Sequence, residues 1–351
     1  MNNINFKGDA NMTRIKLFGV RNEDKAFIEA WSNKHKVEVD LDEDLLTCET
    51  VSRVKGFDGV SISQQIPLDE TIYKQLHDFG IKQIAQRSAG FDIYDFELAE
   101  KYNLIISNVP SYSPHSIAEY TVSQALNLVR NYNDIQQKTA EYDFRWQPDI
   151  LSRSIRDLKV AVIGTGRIGS IVAKIFAQGF DAEVTAYDIA PNDDYRSFLT
   201  YASTINEAIQ NADIVTVHIP ASKENDYLFD ETLFNEFKPG SVFINCARGT
   251  IVKTSALIDA LDRGLIKGAA LDTYEGEKGL FPSDQRHTAF NDDMLKQLIE
   301  RPDVIVSPHI AFYTDAAVEN LIVDALDATR EVIKTGDTRL RVNKIYKRRG
   351  A

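Results

Sequence analysis

Val162-Ile163-Gly164-Thr165-Gly166-Arg167-Ile168-Gly169 carries the spacing G-x-G-x-x-G. Three glycines at that spacing arise often by chance, so the flanks decide the reading. An apolar run, Lys159-Val-Ala-Val-Ile163, precedes the motif and predicts a strand. Ile168, Ile171, Val172, Ile175 and Phe176 follow on one helical stripe. A second strand, Glu183-Val-Thr-Ala-Tyr187, then ends in Asp188, 19 residues beyond Gly169. Strand, glycine turn, helix, strand and terminal acid make a dinucleotide-binding unit. Gly164 would permit the tight turn, Gly166 the close approach of pyrophosphate, and Gly169 the packing of helix on sheet. Free amides at the helix start would hold the phosphates. Asp188 would accept hydrogen bonds from ribose hydroxyls and repel a 2′-phosphate. Ile189-Ala190-Pro191 offers no arginine to compensate, so NAD is expected over NADP.

Outward from this motif the chain keeps alternating short β-rich runs with helical stretches. Upstream, strands are predicted at 14–20, 58–62, 81–87 and 104–108, with helices near 22–33, 68–79 and 95–102. A long helix is predicted after Pro114, where Ala118, Val122, Ala125 and Val129 recur at helical spacing. Downstream, strands follow at 213–218, 241–245, 268–271 and 304–307, and a last helix over 315–334. Strands alternating with helices predict βαβ units and parallel sheets. The fold class is therefore α/β, with two doubly wound parallel-sheet domains. At 351 residues, about two domains are expected.

Composition narrows the partners. Forty Lys plus Arg against 52 Asp plus Glu leave a formal charge of −12. An acidic chain without an internal basic run does not suit a nucleic-acid partner. The basic run Lys347-Arg348-Arg349 at the C-terminus reads as a solvated tail. No apolar stretch reaches the ~18 residues that span a bilayer. Met1 to Asn11 is polar and lacks a signal-peptide core, and Met12 reads as a possible natural start. The only cysteines, Cys48 and Cys246, lie far apart and predict neither a disulfide scaffold nor a metal cage. A cytoplasmic protein without a metal is expected.

Three segments fall at the C-terminal ends of predicted strands, where doubly wound sheets bind ligands. They are Asn245-Cys246-Ala247-Arg248-Gly249, Asp272-Thr273-Tyr274-Glu275-Gly276-Glu277 and Ser307-Pro308-His309. Taken singly, His309 fits a structural histidine, Arg248 a salt-bridge partner and Glu277 a solvated acid. Together they suit hydride chemistry on a 2-hydroxy acid. A histidine moves the proton near neutrality, a carboxylate orients the imidazole, and an arginine binds the substrate carboxylate and polarises the carbonyl.

On these segments, with Arg87-Ser-Ala-Gly-Phe-Asp92, Asn108-Val-Pro-Ser-Tyr-Ser-Pro114, Ile117-Ala-Glu119, His218-Ile-Pro220 and Pro308-His-Ile-Ala-Phe-Tyr-Thr314, the sequence resembles the D-2-hydroxyacid dehydrogenases. It is most similar to their bacterial D-lactate branch, over about residues 14–340. The resemblance implies Arg248, His309, Glu277 and Asp272 as the catalytic set. It implies Ala89, Gly90, Tyr112, Ser63 and Phe312 on the substrate side. NAD contacts are implied at Gly164, Thr165, Gly166, Arg167, Ile168, Gly169, Asp188, His218, Pro220, Cys246 and Asp272. It further implies a flavodoxin-like substrate domain of 1–112 plus 313–351, with a Rossmann-type NAD domain, 113–312, inserted in it. A homodimer built on the long helix after Pro114 is also implied.

The chain departs from the family pattern twice. Thr250-Ile-Val-Lys253 replaces the usual Pro-Leu-Val-Asp after the arginine, and Ser63 stands where an aromatic residue often precedes Gln64-Gln65. The second departure would leave room for 2-keto acids bulkier than pyruvate. D-2-hydroxyisocaproate and D-phenyllactate chemistry, or an NADH-sensing binding protein on the same fold, are the alternatives.

Overall fold

The computed structural model describes residues 12–343. The polar segment Met1 to Asn11 and the run Lys347-Arg348-Arg349 lie outside the described residues. The chain divides into two compact units. One runs to Ser113 and resumes at Tyr313; the other is Pro114–Phe312.

The first unit holds a parallel sheet of five strands, β1 (Arg14–Phe18), β2 (Glu38–Leu41), β3 (Gly59–Ile62), β4 (Gln83–Gln86) and β5 (Ile105–Ser107). Their order is β2-β1-β3-β4-β5. Helices α1 (Asp24–His35), α2 (Glu70–Asp78) and α3 (Phe96–Lys101) connect them. The interior strands β3 and β4 are buried at every position, as expected of strands covered on both faces. The winding order of the strands reverses between β1 and β3. There Gly19 has φ +65°, and a Cβ would lie 2.3 Å from the Ser63 carbonyl. The loops after β1 and β3 therefore touch at the switch point of this sheet.

The second unit begins with α4 (Pro114–Val129) and α5 (Tyr132–Ala140). Its seven strands are β6 (Lys159–Ile163), β7 (Glu183–Tyr187), β8 (Thr200–Tyr201), β9 (Ile214–Val217), β10 (Ser241–Asn245), β11 (Ile266–Leu271) and β12 (Val304–Val306). They pair in parallel in the order β12-β11-β10-β9-β6-β7-β8. The helices are α6 (Gly169–Lys174), α7 (Ile205–Ile209), α8 (Glu231–Phe234), α9 (Thr254–Asp262) and α10 (Asp293–Glu300). A π turn, Ile175–Gly179, prolongs α6. Apolar clusters fill both faces, one around Phe229, Phe234, Phe237 and Phe243, the other around Val160, Val162, Phe176 and Ile244. The switch point of this sheet lies between β6 and β9, beside the glycine loop.

A final helix, α11 (Asp315–Thr335), returns to the first unit and packs on α1 and β3. Its buried stripe includes Val318, Leu321, Ile322, Ala325 and Leu326. Gly336 at φ +83° caps its C-terminus.

Candidate active site

In the second unit, the glycine loop leaves β6 and closes against β9. Gly164 has φ +92°, and a Cβ there would lie 2.7 Å from the His218 carbonyl. A Cβ at Gly169 would lie 1.9 Å from the Gly164 carbonyl. The protein's own backbone thus demands both glycines. A Cβ at Gly166 would meet nothing within 4 Å. Gly166 is thus required by no atom among the described residues, which suits a loop that must stay clear for a ligand. Arg167 beside it is exposed, Ile168 half-buried.

Asp188 follows β7. Its Oδ2 accepts from the Thr165 backbone N–H (2.6 Å) and hydroxyl (3.0 Å), and its Oδ1 from the Ala190 N–H (2.8 Å). The carboxylate is therefore oriented against the glycine loop at the end of the second strand. At the end of β9, His218 Nε2 pairs with the Thr216 hydroxyl at 2.9 Å, and its buried Nδ1 has no partner among the described residues. Burial pushes this imidazole down to a pKa of about 3, so it stays neutral. Pro220 is exposed just beyond. Cys246, after β10, is buried, and burial pushes its thiol up to about 12. It is a packing residue with no thiolate reactivity. A turn that no Cβ fills, an oriented acid and an orphaned buried nitrogen fit a dinucleotide.

The histidine, acid and arginine candidates come together at adjoining strand ends. His309 Nδ1 pairs with Glu277 Oε1 at 2.9 Å. Glu277 Oε2 accepts from the Tyr274 N–H at 3.0 Å. Asp272, 2% exposed, does not reach the imidazole. Its Oδ1 accepts from the Ser307 hydroxyl (2.6 Å) and the Ile310 N–H (2.9 Å), and its Oδ2 from the Ala311 N–H (2.9 Å). Its backbone carbonyl accepts from the His309 N–H at 2.8 Å. Asp272 therefore wraps the histidine loop around itself and fixes its course.

Arg248 is half-buried after β10. Asn245, fully buried, donates from Nδ2 to the Arg248 carbonyl (2.9 Å) and accepts from the Ala247 N–H at Oδ1 (3.0 Å). A Cβ at Gly249 would lie 2.1 Å from the Tyr274 carbonyl carbon. The arginine loop and the acid loop thus pack backbone to backbone. Sequence reading singled out neither Asn245 nor Ser307 for this work. Their signal was slight: one polar residue at the end of each apolar strand. Phe312, half-buried, ends the unit.

The first unit carries the remaining candidates. Beyond β4, the Ala89 carbonyl accepts from Asn108 Nδ2 (2.7 Å) and the Gly90 carbonyl from the Ser88 hydroxyl (2.7 Å). The N–H groups of Ala89 and Gly90 have no acceptor among the described residues. Carbonyls turned inward and amides left free make a cradle for an anion. Ser63 is half-buried after β3, and its N–H donates to the Phe18 carbonyl at 3.2 Å. Tyr112 is half-buried, and its carbonyl accepts from Asn320 Nδ2 at 2.8 Å.

Comparison with known proteins decides the family. Residues 122–311 match the NAD-binding domain of the D-isomer-specific 2-hydroxyacid dehydrogenases. The chain belongs to this family. A D-lactate dehydrogenase of Staphylococcus aureus is 48% identical over 332 residues, 95% of this chain and all of the relative. The structure of a D-lactate dehydrogenase with NAD+ from Lactobacillus jensenii superposes with a TM-score of 0.86 at 35% identity, covering 94% of this chain and 99% of that one. A D-2-hydroxyisocaproate dehydrogenase superposes with a TM-score of 0.88 at 30% identity, covering 94% and 100%.

Proposed function

We propose that this chain is an NAD-dependent D-lactate dehydrogenase, interconverting pyruvate, or a related 2-keto acid, and the D-2-hydroxy acid. The observation that carries this reading is the His309–Glu277 hydrogen bond at the strand ends of the NAD-binding unit, with Arg248 on the neighbouring loop.

The nicotinamide, when bound, supplies the hydride that C2 of the keto acid receives. Gly164, Gly166, Arg167, Ile168 and Gly169 would hold the pyrophosphate, and Asp188 the adenosine ribose. His218, Pro220 and Cys246 would line the remainder of the cofactor site. His309 then gives its ring proton to the keto oxygen, with Glu277 holding the imidazolium that donates it. Arg248 pairs with an anionic group of the substrate and polarises the carbonyl, and within the first unit the Ala89 and Gly90 amides are a cradle for a substrate carboxylate. Tyr112 and Phe312 bound the substrate, and Asp272 positions the histidine loop. On this reading the first unit is the substrate domain and the second the cofactor domain.

Ser63 favours a second reading within the same chemistry. A small side chain there leaves space for a larger keto acid, as in a D-2-hydroxyisocaproate or D-phenyllactate enzyme. A panel of 2-keto acids assayed with NADH, with the chirality of each product determined, tests both. D-lactate from pyruvate at high kcat/KM supports the first; phenylpyruvate preferred over pyruvate supports the second.

We further propose a cytoplasmic homodimer without a nucleic-acid or membrane partner. No helix among the described residues is long and apolar enough to cross a membrane. The face of α4 bearing Ala118, Val122, Ala125 and Leu128 is buried within its own unit. The following segment is the better surface for a second copy. No residue of α5 is buried, and beyond it Tyr142 is 83%, Phe144 70%, Trp146 99% and Leu151 79% exposed. Four large apolar side chains open to water within ten residues are a liability in a lone chain.

A further inference from the structure

Arg87, the residue that follows β4, is 3% exposed. Its guanidinium crosses to the switch point of the five-stranded sheet. One nitrogen donates to the Phe18 carbonyl (2.7 Å) and the Gly19 carbonyl (3.2 Å), the other to the Ser61 hydroxyl (3.2 Å). All three acceptors are neutral. Among the described residues no carboxylate forms an ion pair with it. Asp24 acts on it only from beyond ion-pair distance, and Arg21 adds a like charge. Asp24 is itself engaged by the Arg21 N–H at 3.0 Å.

A buried cation without a contacting counter-ion is costly, and it persists where something else gains from it. Two features show what gains here. Open α/β sheets bind ligands at the switch point, outside the carboxyl ends of the strands, and this guanidinium lies directly beneath that point. The chain that leaves Arg87 forms the anion cradle of Ala89 and Gly90, whose amides have no acceptor among the described residues. The cation is too deeply buried to be a ligand itself, yet low-dielectric surroundings carry its field to the loop.

We propose that Arg87 is a positioning residue for substrate charge: its buried guanidinium at the switch point supplies the positive potential that draws the carboxylate of the keto acid to the Ala89–Gly90 amides. This rests on the dehydrogenase reading above. It also predicts that the benefit is confined to anionic substrates.

The test compares pyruvate with its neutral methyl ester, each with NADH. Arg87→Gln keeps a donor for the carbonyls and removes the charge. Its kcat/KM for pyruvate should fall about tenfold or more, mostly in KM, with methyl pyruvate far less affected. Arg87→Lys should recover much of the pyruvate loss. A change that merely loosened the fold would lower both substrates alike, and that result would overturn the proposal. Asp24→Asn works in the opposite direction and does not disturb the arginine. It should lower the KM for pyruvate, and an unchanged KM in a variant of native Tm would equally overturn it, even if neither Arg87 variant folds. Wild-type protein that turns over no 2-keto acid defeats the dehydrogenase reading and takes this inference with it. Wild-type turnover with indifferent variants defeats the inference alone.

Discussion

His309 sits at φ +55°, a left-handed backbone that costs a non-glycine residue free energy and needs surroundings to impose it. The surroundings are hydrogen bonds from consecutive residues. The His309 N–H donates to the carbonyls of Asp272 and Ser307, and the next two N–H groups donate to the Asp272 carboxylate. The ring is then held from its far side by Glu277. His309→Gln can donate a hydrogen bond but cannot release a proton. Keto-acid reduction at neutral pH should fall by about 10²–10⁴-fold. NADH binding, followed by fluorescence titration, should change little; normal turnover would refute the assigned role. Glu277→Gln removes the carboxylate that accepts from the imidazole and fixes its orientation. Its kcat for keto-acid reduction should fall about tenfold or more with NADH binding little changed. An unchanged kcat would mean the pair does not act together. Ser63 sets a separate expectation at this scale. Ser63→Tyr should sharpen preference for pyruvate over phenylpyruvate by about ten- to a hundredfold, the usual worth of a few methylenes of space. A wild-type pyruvate preference that the tyrosine leaves unaltered would remove Ser63 from the specificity argument.

Loops rather than helices and strands position the candidates, and here the four glycines Gly164, Gly166, Gly169 and Gly249 separate into two kinds. Gly249 is required by a neighbour: a Cβ there would lie within 2.1–2.5 Å of the Tyr274–Glu275 backbone, which cannot yield cheaply. Gly249→Ala should destabilise by about 2–3 kcal/mol. That corresponds to a Tm lower by roughly 5–10 °C. It should also depress kcat by parting the Arg248 loop from the loop of Glu277. Gly166 is required by no atom among the described residues, so Gly166→Ala should fold with native Tm yet bind NADH about tenfold or more weakly. Calorimetry with a binding titration distinguishes the two; equal Tm losses would show that the glycines are all structural. Sequence spacing revealed the glycine loop because each part lies within thirty residues and carries local chemistry. It revealed the strand-end positions of Arg248, Glu277 and His309 for the same reason. It did not reveal β2, where Glu38-Val-Asp-Leu41 is an edge strand with polar residues at alternate positions and too little apolar character to read. Nor did it reveal α5, whose nine residues bury nothing and so lack an apolar stripe. Arg87 was legible only as part of a motif. Its isolation from any contacting acid is a matter of chain segments about 70 residues apart.

At the scale of the molecule, charge and apolar surface point to different partners. The net charge of −12 disfavours polyanions, while Arg248 and the Ala89–Gly90 amides, each within its own unit, are the groups proposed for a small anionic substrate. The overall sign thus describes long-range repulsion and the site a local exception, which burial preserves because buried charges are weakly screened. Apolar surface is the second lever. A helix without buried residues cannot be stable on propensity alone at nine residues. It and the aromatic run that follows call for a covering surface, and on the homodimer proposal a second copy would supply one of matching character. Isologous contact would cover Tyr142, Phe144, Trp146 and Leu151 on both chains together. The protein should therefore sediment at twice the mass of the chain. Replacing Trp146 and Leu151 together by Glu places two charges in each half of that contact. It should convert the species to monomer, with a lower Tm that depends less on protein concentration. Wild type that sediments as a monomer at micromolar concentration would remove the dimer. A double variant that stays dimeric would move the contact elsewhere on the surface.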